Sequence, residues 1–138
     1  MYSTVSETLD TSIQVESNFD LVNLAHEGLT AASIQSLIKA LELSIDELVE
    51  LLPVSKRTLQ RYEKNQKLSL DLSDRLIQIA RVYSRILEVW SDRDLGLHWL
   101  KSPCKAFGDK IPLSYLNLHS GFEIVMDELG RIEYGVYS

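Results

Sequence analysis

The amino-acid sequence predicts an all-α protein. Apolar residues recur three and four apart along nearly the whole chain beyond residue 17, the spacing of a helix face. Residues that start helices stand ahead of these stretches: Thr30, Ser44 with Glu47 three positions on, and Ser55. No alternating apolar–polar run of useful strand length is present. With 138 residues, 45% hydrophobic and 25% charged, the chain suits one domain, or two small helical subdomains sharing a core.

Residues 1–17 are polar, rich in Ser and Thr, and without period, which predicts a flexible N-terminal tail. Phe19, Val22, Leu24 and Ala25 fit the inner face of a first helix, stopped at Gly28. Thr30 is positioned to cap a second, with Ile34, Leu37, Ile38 and Leu41 inward. Ser44 and Glu47 have capping-box spacing for a third, whose inner face is Ile45, Leu48, Leu51 and Leu52. Pro53 cannot continue that helix. Ser55 starts a fourth, basic helix that reaches about Lys64. From Leu70 to Trp90 a stripe of Leu72, Leu76, Ile79, Tyr83, Ile86 and Trp90 predicts a central amphipathic helix, about 30 Å long at 1.5 Å per residue. A short helix over Asp92–Leu100, a Pro- and Gly-containing loop, and a last helix over Gly121–Arg131 follow.

The bulk numbers narrow the setting. No apolar run approaches the roughly 18 residues of a membrane span, and the N-terminus lacks the basic start and apolar core of a secretory signal. A single cysteine, Cys104, rules out a disulfide framework within the chain, so a reducing cytoplasm is expected. The formal net charge of -6 is unevenly spread: residues 1–50 carry -8, residues 51–110 carry +5, and residues 111–138 carry -3. A nucleic acid would meet the middle of the chain.

That middle holds the densest basic block, VSKRTLQRYEKN. Together with SIDELVELLP it has the anatomy of a helix-turn-helix. Leu48, Leu51, Val54 and Leu59 are the expected core of the pair, with Thr58 near the seam. Lys56, Arg57, Gln60, Arg61 and Lys64 are left for the exposed face, with Ser55 at its start. Long donors on a rigid helix suit a major groove, where Arg reads guanine, Gln reads adenine, and Lys or Arg holds phosphate. Ser55, Lys56, Arg57, Thr58, Gln60, Arg61 and Lys64 are therefore the candidate DNA-binding residues. A solvated charged face and a helix-turn-helix kept as scaffold are the alternatives. Pro53 stands where many such turns hold glycine, so this turn must bend without a positive φ. A single subunit offers few contacts, which predicts a two-fold dimer on an inverted-repeat operator.

The chain end, LGRIEYGVYS, sets two tyrosines, Ile132 and Val136 beside two glycines, where chain ends are usually polar. It either docks on its own core or a dimer mate, or enters a partner's cleft. At this point VSKRTLQRY, LSLDLSDRL leading into ARVYSRILEVW, WLKSP, and IPLSYLNLHSGFEIVMDELGRIEYGVYS together resemble the Xre/MbcA/ParS antitoxins, partners of RES-domain toxins. The resemblance covers roughly residues 19–138. It implies an Xre-like helix-turn-helix part over 18–68, and a central helix with a small helical toxin-binding part over 69–138. It further implies a type II antitoxin that represses its own operon and covers the active site of a RES-like, NAD-consuming toxin. Arg131, Glu133, Tyr134, Val136, Tyr137 and Ser138 are then the candidate toxin-binding residues, and Trp99, Leu100, Pro112 and Leu113 belong to the core of that part.

No catalytic chemistry is expected. His26, His98 and His119 lack HxxxH or HExxH spacing, and no Gly-rich phosphate loop or GxSxG elbow is present. Asp92 and Asp94 fit a helix start. No metal and no cofactor are predicted. The alternative function is a stand-alone transcriptional regulator whose C-terminal part only dimerises.

Overall fold

The structure, a computed structural model, describes residues 2–135. Eight α-helices follow one another: α1 Tyr2–Thr8, α2 Asn18–Glu27, α3 Ala32–Leu41, α4 Ile45–Val49, α5 Lys56–Arg61, α6 Leu70–Val89, α7 Arg93–Leu100 and α8 His119–Glu133. Two 3-10 turns, Lys105–Phe107 and Pro112–Asn117, connect α7 to α8. Among the described residues there is no strand, only isolated bridges pairing Thr30 with Lys67 and Cys104 with Lys110.

Helix α6 is the spine: α1, α2, α3, α7 and α8 all pack against it. Leu72, Leu76, Ile79, Tyr83 and Ile86 of its expected stripe are buried, Trp90 just past its end is half-buried, and Ser73, Val82 and Ser84 are buried too, because neighbours cover the helix on several sides. Two residues of the SDRL stretch tie the first half of the chain to this spine. The hydroxyl of Ser73 accepts from the Leu29 N–H at 3.0 Å, and Arg75 Nη1 donates to the Leu51 carbonyl at 2.6 Å. Both satisfy backbone groups that a chain leaving a helix would strand.

The N-terminal segment overturns the expectation of a flexible tail over 1–17. Val5 and Leu9 are fully buried and Val15 nearly so, and α1 packs on α3 and α6. Ser33 and Ser36 of α3 donate to the carbonyls of Leu9 and Thr8 at 2.7 and 2.6 Å. Polar composition hid three apolar anchors spaced too irregularly to read as a helix face. Helix α2 is turned from the expected orientation: Leu21, Leu24 and Ala25 face α6, while Phe19 and Val22 are 82% and 54% exposed. Phe19 with Val22 and Leu21 with Leu24 are each three apart, so periodicity could not choose between them. Thr30 does not cap α3. It lies in the bridge with Lys67, and the helix starts after Ala31.

At the C-terminal end, Trp90, Trp99, Phe107 and Tyr115 form a row of ring contacts, with neighbouring centroids 6.3, 6.5 and 4.9 Å apart. This row packs α7 and both 3-10 turns together. Leu100 and Leu113 are buried, as the sequence suggested, and Trp99 packs against the core. Gly121 opens α8 with its Cα against the Tyr115 carbonyl, where a Cβ would collide with backbone. That close approach seats the first turn of α8 against the second 3-10 turn.

Candidate functional site

The basic block forms a helix-turn-helix. Helix α4 starts with a complete capping box: the Ser44 hydroxyl accepts from Glu47 N–H at 3.1 Å, and the Glu47 carboxylate accepts from Ser44 N–H at 2.9 Å. After the exposed Pro53, Ser55 caps α5 by accepting from Thr58 N–H at 3.1 Å. No residue between Glu50 and Ser55 has positive φ, so the turn is made without the left-handed step that glycine usually supplies. Leu59 is the buried residue of α5 and sits in a small core with Leu48 and Leu51, while Val54 and Tyr62 pack half-buried at its edge. Helix α5 ends at Arg61, one turn short of the expected Lys64, because Tyr62 leaves in extended conformation. The strand-like exit is pinned by Ala32 N–H, which donates to the Lys64 carbonyl at 3.1 Å.

Arg57, Gln60 and Arg61 all stand exposed on α5, and Lys64 is exposed just beyond it. Arg57, Arg61 and Lys64 make no ion pair with a described residue. Lys56 differs: its Nζ lies 2.9 Å from Asp46 Oδ1 of α4. Thr58 is exposed rather than in the seam, and its hydroxyl lies 3.0 Å from that of Ser55. A groove beside α5 brings Gln35 and Lys39 of α3 next to Gln60 and Lys64.

The second candidate surface is the end of α8. The Glu133 carboxylate accepts from both terminal nitrogens of Arg85, at 2.9 and 2.6 Å, and Arg85 also reaches Glu88 at 3.3 Å. The hydrogen bond from Arg85 holds the Glu133 carboxyl below its ordinary range. Glu133 is therefore a latch joining α8 to α6. Arg131 Nη1 donates to Glu128 Oε1 at 2.9 Å, with its own side chain 58% exposed. Tyr134, the first residue past the helix, is 79% exposed. Val136, Tyr137 and Ser138 lie outside the described residues.

A family model described as the antitoxin Xre-like helix-turn-helix domain matches residues 20–81, and one described as the antitoxin Xre/MbcA/ParS C-terminal toxin-binding domain matches residues 87–135. This chain belongs to the Xre/MbcA/ParS antitoxin family. Three curated proteins called antitoxin Xre are similar to it. The one from Photorhabdus laumondii is 34% identical over 52% of this chain and 49% of its own length. Those from Yersinia enterocolitica and Pseudomonas putida are 25% and 27% identical, over 86% and 88% of this chain and 81% and 76% of theirs. The chain thus spans about half of the first relative and most of the other two. In three dimensions it resembles a chain of the M. tuberculosis MbcT–MbcA toxin–antitoxin complex, with TM-score 0.59 and 23% identity over 78% of this chain and 96% of that one; this likeness concerns the fold.

In this chain the junction between the two matched regions falls near the end of α6, so one continuous helix belongs to both. The helix-turn-helix candidates come together on one side of α5, apart from Lys56, which Asp46 holds. Of the toxin-binding candidates, Arg131 and Tyr134 are presented outward and Glu133 is turned to Arg85. Sequence reasoning missed three residues that shape these surfaces: Asp46, Arg75 and Glu128. Arg75 was visible as part of SDRL, but its partner is a backbone carbonyl 24 residues away, which no local pattern encodes. Among the described residues no helix is long and apolar enough to cross a membrane.

Proposed function

We propose that the chain is a two-surface antitoxin. Its C-terminal part, residues 69–138, binds a RES-like, NAD-consuming toxin and occludes the active site, and its helix-turn-helix part, residues 18–68, binds the operon's own operator and represses it. The observation that carries the toxin half is the way α8 ends. Glu133 is clamped to Arg85 while the next residue, Tyr134, is left 79% exposed, so α8 ends at a fixed point with an aromatic anchor unpacked. Aromatic and arginine anchors dominate interfaces of this kind.

The DNA half is supported by Arg57, Gln60 and Arg61 on one exposed helix, the residue types that read purine edges in a major groove. Arg57, Arg61 and Lys64, the cations of this block without an ion pair among the described residues, give weak binding per protomer, so a homodimer on an inverted repeat is the natural form. Complexes with toxin would then be higher hetero-oligomers.

Deleting residues 134–138 tests this reading while leaving the Glu133 latch in place. The truncated chain should still shift the upstream DNA in a gel and should no longer neutralise the product of the adjacent gene in co-expression. Full neutralisation by the truncated chain would exclude the tail as the occluding element. A gel shift that survives Arg57→Ala together with Arg61→Ala would exclude α5 as the reader.

A further inference from the structure

Glu128 stands out among the acidic side chains of this antitoxin. It is 2% exposed on α8, next to the fully buried Leu129 and three residues from the fully buried Val125. Its Oε1 accepts from Arg131, while its Oε2 is buried with no hydrogen-bond partner among the described residues. A buried carboxylate with one of its two oxygens unpartnered is costly, and an apolar side chain of similar volume at such a place is often neutral or stabilising. Fold stability therefore does not account for a glutamate here.

Its one hydrogen bond goes to a guanidinium on the outer side of α8. Ile124, Asp127, Arg131 and Tyr134 follow one another at spacings of three, four and three, which places them on one helix face. Ile124 is 44% exposed, and Tyr134 far more so. Arg131 stands between them, and a long side chain on an open face ordinarily samples many rotamers that binding must freeze. Glu128 removes part of that freedom beforehand. It holds Nη1 and leaves the remaining guanidinium donors to a partner.

We propose that Glu128 is a positioning residue: it preorganises Arg131, between Ile124 and Tyr134, to donate to acceptor oxygens on the toxin. This rests on the reading of α8 and its tail as a toxin-binding surface. The burial of Glu128 keeps water from competing for the carboxylate, so the orientation is held until the partner arrives.

The test uses the full antitoxin chain and the product of the adjacent gene, with affinity measured by calorimetry and stability by thermal melting. Glu128→Leu should melt at or above the wild-type temperature and yet bind the toxin about tenfold more weakly, an ordinary coupling between touching residues. Glu128→Gln, which keeps the shape and an acceptor but not the charge, should fall between the two. In an Arg131→Ala background, Glu128→Leu should cause no further loss. If Glu128→Leu lowers the melting temperature and weakens binding equally with or without Arg131, Glu128 is structural and the proposal is overturned while the toxin-binding surface stands. If Arg131→Ala alone leaves affinity unchanged, Arg131 is outside the interface, and the proposal falls with that residue's part in the surface.

Discussion

Replacing Asp46 with asparagine should strengthen DNA binding. The carboxylate, on α4, sits 2.9 Å from Lys56 Nζ at the start of α5, and the first helix of a helix-turn-helix is the one that crosses the phosphate backbone. On the proposed DNA-binding reading it neutralises one of the four cations of the basic block and would add a negative charge beside bound DNA. Each phosphate contact contributes about 0.9 to the slope of log affinity against log salt, so freeing Lys56 for a phosphate should steepen it by roughly 0.9 per protomer, with higher affinity at low salt. The fold should hardly notice. The two side chains are 44% and 73% exposed, and such surface pairs are worth about 0–1 kcal/mol. Fluorescence anisotropy with labelled upstream DNA, read at several salt concentrations, measures both quantities. A slope that stays the same, or an affinity that drops, would refute the placement of Lys56 and the start of α4 at the DNA backbone.

Two further outcomes follow from the same geometry. Leu9→Ala should destabilise the chain by about 2–5 kcal/mol in urea unfolding, the usual cost of truncating a buried leucine; an unchanged midpoint would mean that the N-terminal segment does not pack on α3 and α6. Glu133→Gln should reduce stability in a pH-dependent way. Because Arg85 lowers the folded-state carboxyl below its ordinary value of 4.5, the latch contributes fully above that value and loses its contribution as pH falls through the depressed one. Wild type and variant should therefore differ in melting temperature at neutral pH and converge in acid. A gap that widens on acidification would contradict the ion pair.

Where local chemistry and periodicity agree, the elements were legible in advance. The capping box at Ser44 and Glu47, the cap at Ser55 and the stripe of α6 as far as Ile86 combine a terminal signal with an apolar period and are present as read, whereas α4 ends at Val49, ahead of the Pro53 expected to stop it. The misreadings share a different character. Val5, Leu9 and Val15 are anchors inside a polar segment, and their burial depends on a groove built by helices more than twenty residues away. The choice between Leu21 and Phe19 for the inner side of α2 depends on where α6 lies. The surfaces divide in the same way: the exposed readers of α5 follow from the helix period, whereas the partners of Lys56, Glu133 and Arg131 do not.

By itself, the order of residues determined that this protein is helical, that its positive charge gathers on the second helix of a helix-turn-helix, and that its end is aromatic, because those properties depend on neighbours within a turn or two. Tertiary structure alone decided which charges are free to act. An ion pair such as Arg85 with Glu133 spans 48 residues of chain, and only the packing of α8 across α6 brings the two within hydrogen-bond reach.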